Sequence, residues 1–86
     1  MPENALEGTV PAHVDAQVDA RGMACPLPIL KAKKALATLQ SGQVLEVQAT
    51  DPGSKQDFSA FARQTGNVLL AQVDRGEVTH FWLRRR

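Results

Sequence analysis

The sequence predicts an α+β two-layer sandwich: two helices packed on one face of a mixed four-stranded sheet, in the order β-α-β-α-β-β. Three observations predict it. Four short segments read as strands, the first, Val14–Ala20, by strict apolar–polar alternation. Two intervening segments carry apolar residues at helical spacing. The first of these is long enough to serve as a crossover, so the first two strands can run parallel. Eighty-six residues make one small domain. A chain of this length buries only roughly 60% of its unfolded surface.

Residues 1–13 hold Pro2, Gly8 and Pro11 without periodicity and are read as a mobile leader, so the domain is expected over 14–86. Val14 to Ala20 alternates and places Val14, Ala16, Val18 and Ala20 on one face of a first strand. Arg21 to Ala24 connects it to a helix expected from Pro28 to Leu39. Pro28 suits a first helical turn, where its missing N–H costs nothing. Ile29, Ala32, Leu36 and Leu39 form the apolar stripe, with Lys31, Lys34 and Thr38 opposite. Leu30 lies off the stripe, beside Lys33. Ser41-Gly42 ends the helix.

Val44 to Thr50 is the second strand and Asp51-Pro52-Gly53 a turn. Ser54 with Asp57 resembles a capping box, opening a helix to about Thr65 that buries Phe58, Phe61 and Ala62. Gly66 suits the residue that closes it. Val68 to Val73 and Val78 to Leu83 are the last two strands, joined by a hairpin turn at Asp74-Arg75-Gly76. In the fourth strand Thr79, Phe81 and Leu83 are expected to face the helices. His80 and Trp82 are expected to face away.

Composition narrows the function. Hydrophobic residues are 43% and charged residues 22%, an ordinary globular balance. The net charge is +1, and seven acids match seven bases between Val14 and Leu83. That balance argues against direct nucleic-acid binding, which draws on phosphate neutralisation. Aromatic residues, 5%, are too few for a base-stacking platform. No stretch approaches a membrane span, and the acidic N-terminus lacks the apolar core of a signal peptide. A cytoplasmic, monomeric protein is expected, with its thiol kept reduced.

The single cysteine, Cys25, excludes an internal disulfide, a two-cysteine redox pair and a thiolate-rich zinc site. Cys25-Pro26-Leu27-Pro28 sets this thiol just before a helix. Free N–H groups and the helix dipole there favour a thiolate, with Lys31 and Lys33 adding to the effect. Pro26 and Pro28 stiffen the backbone on both sides of Leu27. Pro28 stands where a second redox cysteine would be, so the thiol must bond with something brought to it. A lone cysteine is also commonly a small buried hydrophobe, and spacing alone leaves that reading open.

The run Asp19-Ala-Arg-Gly-Met-Ala-Cys-Pro-Leu-Pro28 resembles the signature of the TusA/SirA family of small sulfur carriers, in which G-x-x-C-P-x-P opens the first helix. Gly42 before the second strand and Thr50-Asp51-Pro52 with Asp57 also match, so the likeness covers residues 14–84. It implies the same β-α-β-α-β-β sandwich. It implies that Cys25 carries sulfur as a persulfide, supported by Gly22, Pro26 and Pro28. The partners implied are a donor, either a cysteine desulfurase or a rhodanese-like protein, and an acceptor protein. The chemistry calls for no metal or organic cofactor, and relay rather than turnover is expected. Leu27 stands where the tRNA-thiolation type has an acid, and Ala24 where it has a base; these positions bear on partner choice. The family feeds tRNA thiolation, molybdenum-cofactor maturation or sulfur oxidation. A regulatory or protein-binding module and a thiol redox sensor are the alternatives.

Met23, Leu27 and Leu30 are expected to rim Cys25 and, with Lys31, Lys33 and Lys34, to dock partners. The plainer alternative is that Leu30 covers a loop and the lysines are solvated. Asp51 and Asp57 are read as turn and cap formers, though a carboxylate beside Cys25 would raise its thiol pKa. His13 and His80 lack clustered ligands, so no metal is expected. Trp82 marks a contact surface or lies under the leader. Arg84 to Arg86 form a solvated basic end, with RNA contact on a partner complex as the sharper option.

Overall fold

The computed structural model describes residues 10–86. Most of the expected leader therefore lies outside the described residues. The elements are β1 (Ala16–Ala20), α1 (Leu27–Ala37), β2 (Val44–Ala49), α2 (Ser54–Thr65), β3 (Val68–Arg75) and β4 (Val78–Arg84). The sheet order is β1-β2-β4-β3. β1 runs parallel to β2, with Val18 opposite Val47. β4 is antiparallel to both β2 and β3. The predicted two-layer mixed sheet is present.

Central β2 sends Leu45, Val47 and Ala49 into the core and Glu46 to the other face. Val18, Ala20, Phe81 and Leu83 complete the sheet's share of the core, and Ala32, Leu36, Phe58 and Phe61 the helices'. Phe58 stacks on Phe81 with ring centroids 4.5 Å apart, and both are fully buried. Each such ring contributes about 1.5–3 kcal/mol by leaving water.

Several boundaries move, for local reasons. β1 starts at Ala16 because the Asp15 carboxylate accepts the Val44 N–H at 2.8 Å, while the Asp15 N–H donates to the Val44 carbonyl. α1 begins one residue earlier, at Leu27, and stops at Ala37. There the Thr38 hydroxyl turns back to the Ala35 carbonyl at 2.7 Å. β3 runs on to Arg75, so the hairpin turn is Gly76-Glu77 rather than Asp74-Arg75-Gly76. Gly76 there has φ +65°, the only positive φ in the turn, as a first central glycine allows.

Thr79, Phe81 and Leu83 face the helices as predicted; the Thr79 hydroxyl meets Asp74, which also pairs with Lys55 of α2. His80 and Trp82 face away, but that face is packed. Glu46 receives the Gln17 amide at 3.1 Å and lies 2.9 Å from His80 Nδ1. His80 stacks on Trp82, and the Arg75 guanidinium lies 5.8 Å from the indole centroid. Trp82 is 3% exposed, so its indole is a packed side chain and not an open contact patch. The terminal arginines are not wholly solvated either. Arg85 Nε donates to the Leu36 carbonyl at 2.9 Å, and the Arg86 N–H donates to Asn67 Oδ1 at 2.8 Å.

Candidate functional site

Parallel pairing of β1 and β2 brings the loops after both strands to one edge of the sheet, the usual place for a site in such sheets. One hydrogen bond joins them: the Gly22 N–H donates to Thr50 Oγ1 at 2.9 Å. Gly22 turns the chain at φ +77°, a conformation costly for any residue with a Cβ. Two further turns follow, with Met23 N–H to Ala20 O at 3.2 Å and Leu27 N–H to Ala24 O at 3.0 Å. They deliver Cys25 to the residue just before the helix cap, Pro26. Pro28 sits in the first turn of α1 and is buried. Gly22 lies in the turn before the thiol and Pro26 and Pro28 at the start of α1, and Cys25 is exposed.

The second loop carries Asp51, and the first turn of α2 carries Asp57, on the side of the thiol. The expected capping box does not form. Gly53 caps α2 with no side-chain cap bond, and its carbonyl accepts the Asp57 N–H at 3.1 Å. Ser54 is already helical and lies on the buried stripe with Phe58 and Phe61. Its hydroxyl is drawn into the interior, where it has no hydrogen-bond partner. The Asp57 carboxylate is left beside that of Asp51, over Gly53. Both carboxylates close over Gly53: a Cβ there would lie 3.2 Å from Asp51 Oδ2 and 3.9 Å from Asp57 Oδ2.

This corrects the expected electrostatics. The Asp57 carboxylate raises the Cys25 thiol pKa above its ordinary value, and desolvation and the charge of Asp51 add to the rise. Lys31 and Lys33 are not among the influences on the thiol. The unloaded cysteine is therefore a neutral thiol, not a thiolate held by the helix end. The nearby Asp19 is paired with Arg21 through two contacts of 2.9 and 3.0 Å. That pairing pulls its carboxyl down to about 2.

The expected docking residues separate into groups. Leu27 and Leu30 are 50% and 53% exposed. With exposed Lys31 and Lys34 they follow i, i+3, i+4, i+7 spacing and so form one stripe leading away from Cys25. Met23 is half-buried and packs against the core. Lys33 lies roughly 200° around the helix from Lys31. It lines a concavity of about 300 Å³ with Leu36, Phe61, Asn67 and Arg85, apart from the thiol. Asp57, expected as a cap former, instead acts with Asp51 on the Cys25 thiol. The convergence of the two loops was the signal for it.

The profile of the Sulfurtransferase TusA family matches residues 16–85. The sulfur carrier protein TusA of Allochromatium vinosum is 54% identical over 74 residues, 86% of this chain and 97% of that protein. The crystal structure of a SirA-like protein from Desulfitobacterium hafniense superposes with a TM-score of 0.73 at 30% identity, covering 80% of this chain and 95% of that one. Matched across nearly all of its fold, the chain belongs to the Sulfurtransferase TusA family.

Proposed function

We propose that this protein carries sulfur as a persulfide on Cys25, taken from a donor protein and passed to an acceptor. The observation that supports this most is a single exposed thiol, at the joint of two loops, in a chain of the sulfur-carrier family. An exposed thiol can enter the active site of another protein, and 86 residues need not enclose a substrate. With one cysteine, the loaded persulfide has no neighbouring thiol in its chain to discharge it as a disulfide. The donor class is a cysteine desulfurase or a rhodanese-like protein, and Leu27, Leu30, Lys31 and Lys34 form the surface that meets partners. The protein acts as a monomer in the cytoplasm, where the thiol stays reduced. No helix among the described residues is long and apolar enough to cross a membrane.

The test is direct. The protein is incubated with a cysteine desulfurase and cysteine, or with a rhodanese and thiosulfate, and its intact mass is taken. A gain of one sulfur atom, removed by a reductant and absent in Cys25→Ala, is the expected result. No sulfur adduct from either donor overturns the carrier function and leaves a binding module.

A further inference from the structure

We propose that the concavity at the C-terminal ends of α1 and α2 binds the phosphate group of a small molecule. It measures about 300 Å³, and Lys33, Arg85 and Arg86 line it without any acidic side chain. The length of α1, roughly 16 Å, separates it from Cys25, so the site is independent of the sulfur chemistry. Among the described residues Arg21 pairs with Asp19 and Lys55 with Asp74, but Lys33, Arg85 and Arg86 join no carboxylate side chain. Arg85 is half-buried, and a cation withdrawn from water without a counter-ion is costly to the fold. A bound anion removes that cost.

The cations are held in place by the fold. Arg85 Nε donates to the Leu36 carbonyl at 2.9 Å, and Nη1 reaches the main-chain oxygen of Arg86 only at 3.5 Å. The remaining guanidinium donors of Arg85 are left for a ligand. The Arg86 N–H donates to Asn67 Oδ1 at 2.8 Å, and the Asn67 amide is itself anchored on Thr65 Oγ1 at 2.8 Å. The Arg86 side chain lies across Gly66, where a Cβ would stand 2.8 Å from its Cδ. Helix C-termini disfavour anions, but here Arg85 covers the Leu36 carbonyl and the Gly66 N–H covers that of Ala62. Guanidinium forks match the oxygens of a phosphate, and Lys33 adds a point charge from α1. Leu36 and Phe61 give the ligand's body an apolar wall. The volume is at the small end of ligand sites, which suits a phosphorylated small molecule rather than a macromolecule.

The test is a titration of the full-length protein followed by amide NMR at fixed ionic strength. The probes are inorganic phosphate and AMP, with adenosine as the uncharged control. Saturable shifts are expected at Gly66, Asn67, Arg86 and the Arg85 Nε–H, with Gly22 and Cys25 at the other end unmoved. Lys33→Gln and Arg86→Gln replace exposed side chains and should each weaken binding by about threefold to tenfold. Lys31→Gln, on the other side of α1, should leave it unchanged. AMP binding more tightly than inorganic phosphate assigns the site to an organic phosphate, and equal affinities assign it to the free ion. No saturable shift with either phosphate, or equal shifts with adenosine, overturns the proposal. So does binding that Lys31→Gln weakens as much as Lys33→Gln, because that is general attraction to a basic surface.

Discussion

Thr50→Val tests whether one hydrogen bond builds the site. The substitution keeps the branched shape at the end of β2 and deletes only the hydroxyl that accepts the Gly22 N–H at 2.9 Å. Gly22 sits at the surface, so its freed N–H can turn to water, and the loss is that of one ordinary bond, about 1 kcal/mol. In a domain of this size that lowers the melting temperature by about 4–8 °C. The second effect is chemical. Without the clasp the Asp51–Asp57 loop is no longer held against Cys25, and the rise in the thiol pKa caused mainly by Asp57 relaxes. The midpoint of iodoacetamide reactivity against pH should therefore fall toward the ordinary thiol value of 9.0. The sign is fixed: wild type reacts more slowly than the variant at neutral pH, because its sulfur keeps its proton to higher pH. Thr50→Ser keeps the acceptor oxygen and should follow wild type in both measurements. A Thr50→Val protein that melts lower yet keeps the wild-type alkylation profile refutes the claim that the clasp holds the two acidic side chains near the thiol.

Phe81→Ala should cost about 3–5 kcal/mol, read as a lower urea midpoint at similar slope, since it empties a fully buried site and removes the stack on Phe58. Leu30→Glu places a charge on the exposed stripe beside Cys25 and should slow loading from a cysteine desulfurase far more than loading from glutathione persulfide. Equal effects on the two donors would remove Leu30 from the docking surface.

Much of this fold is written in local patterns. Alternation in Val14–Ala20 and Val44–Thr50, and the Ala32/Leu36 and Phe58/Phe61 stripes, depend on residues near each other in sequence. Those elements and the core they build follow directly. Parallel pairing then places Cys25 and Asp51 at one edge without further information. The capping box failed for a physical reason. Ser54 and Asp57 satisfy the local rule, but the stripe that buries Phe58 and Phe61 also carries Ser54 inward, so the hydroxyl leaves the helix end. The direction of Asp57 was thus decided by packing that no four-residue motif contains. Trp82 shows the same limit. Alternation correctly put it on the face away from the helices, but its neighbours there, Arg75 across the hairpin and His80, itself held by Glu46 of another strand, are set by tertiary pairing. The lysines were misgrouped because neighbours in sequence point apart on a helix.

The placement of Asp57 also weighs against the redox-sensor alternative. Peroxide attacks the thiolate, so sensor cysteines combine exposure with a lowered pKa. Cys25 has the exposure and the opposite shift. Its surroundings lack the cation that lowers a sensor's pKa, because Lys31 acts on Asp19 and Lys33 turns to the far side of α1. A carrier gains from this arrangement. Its thiol waits in solution between partners, where a standing thiolate would be lost to oxidants and stray disulfides. It needs to react only inside a donor's active site, where the persulfide sulfur is already positioned. A neutral, exposed thiol is poorly suited to sensing peroxide and well suited to that single encounter.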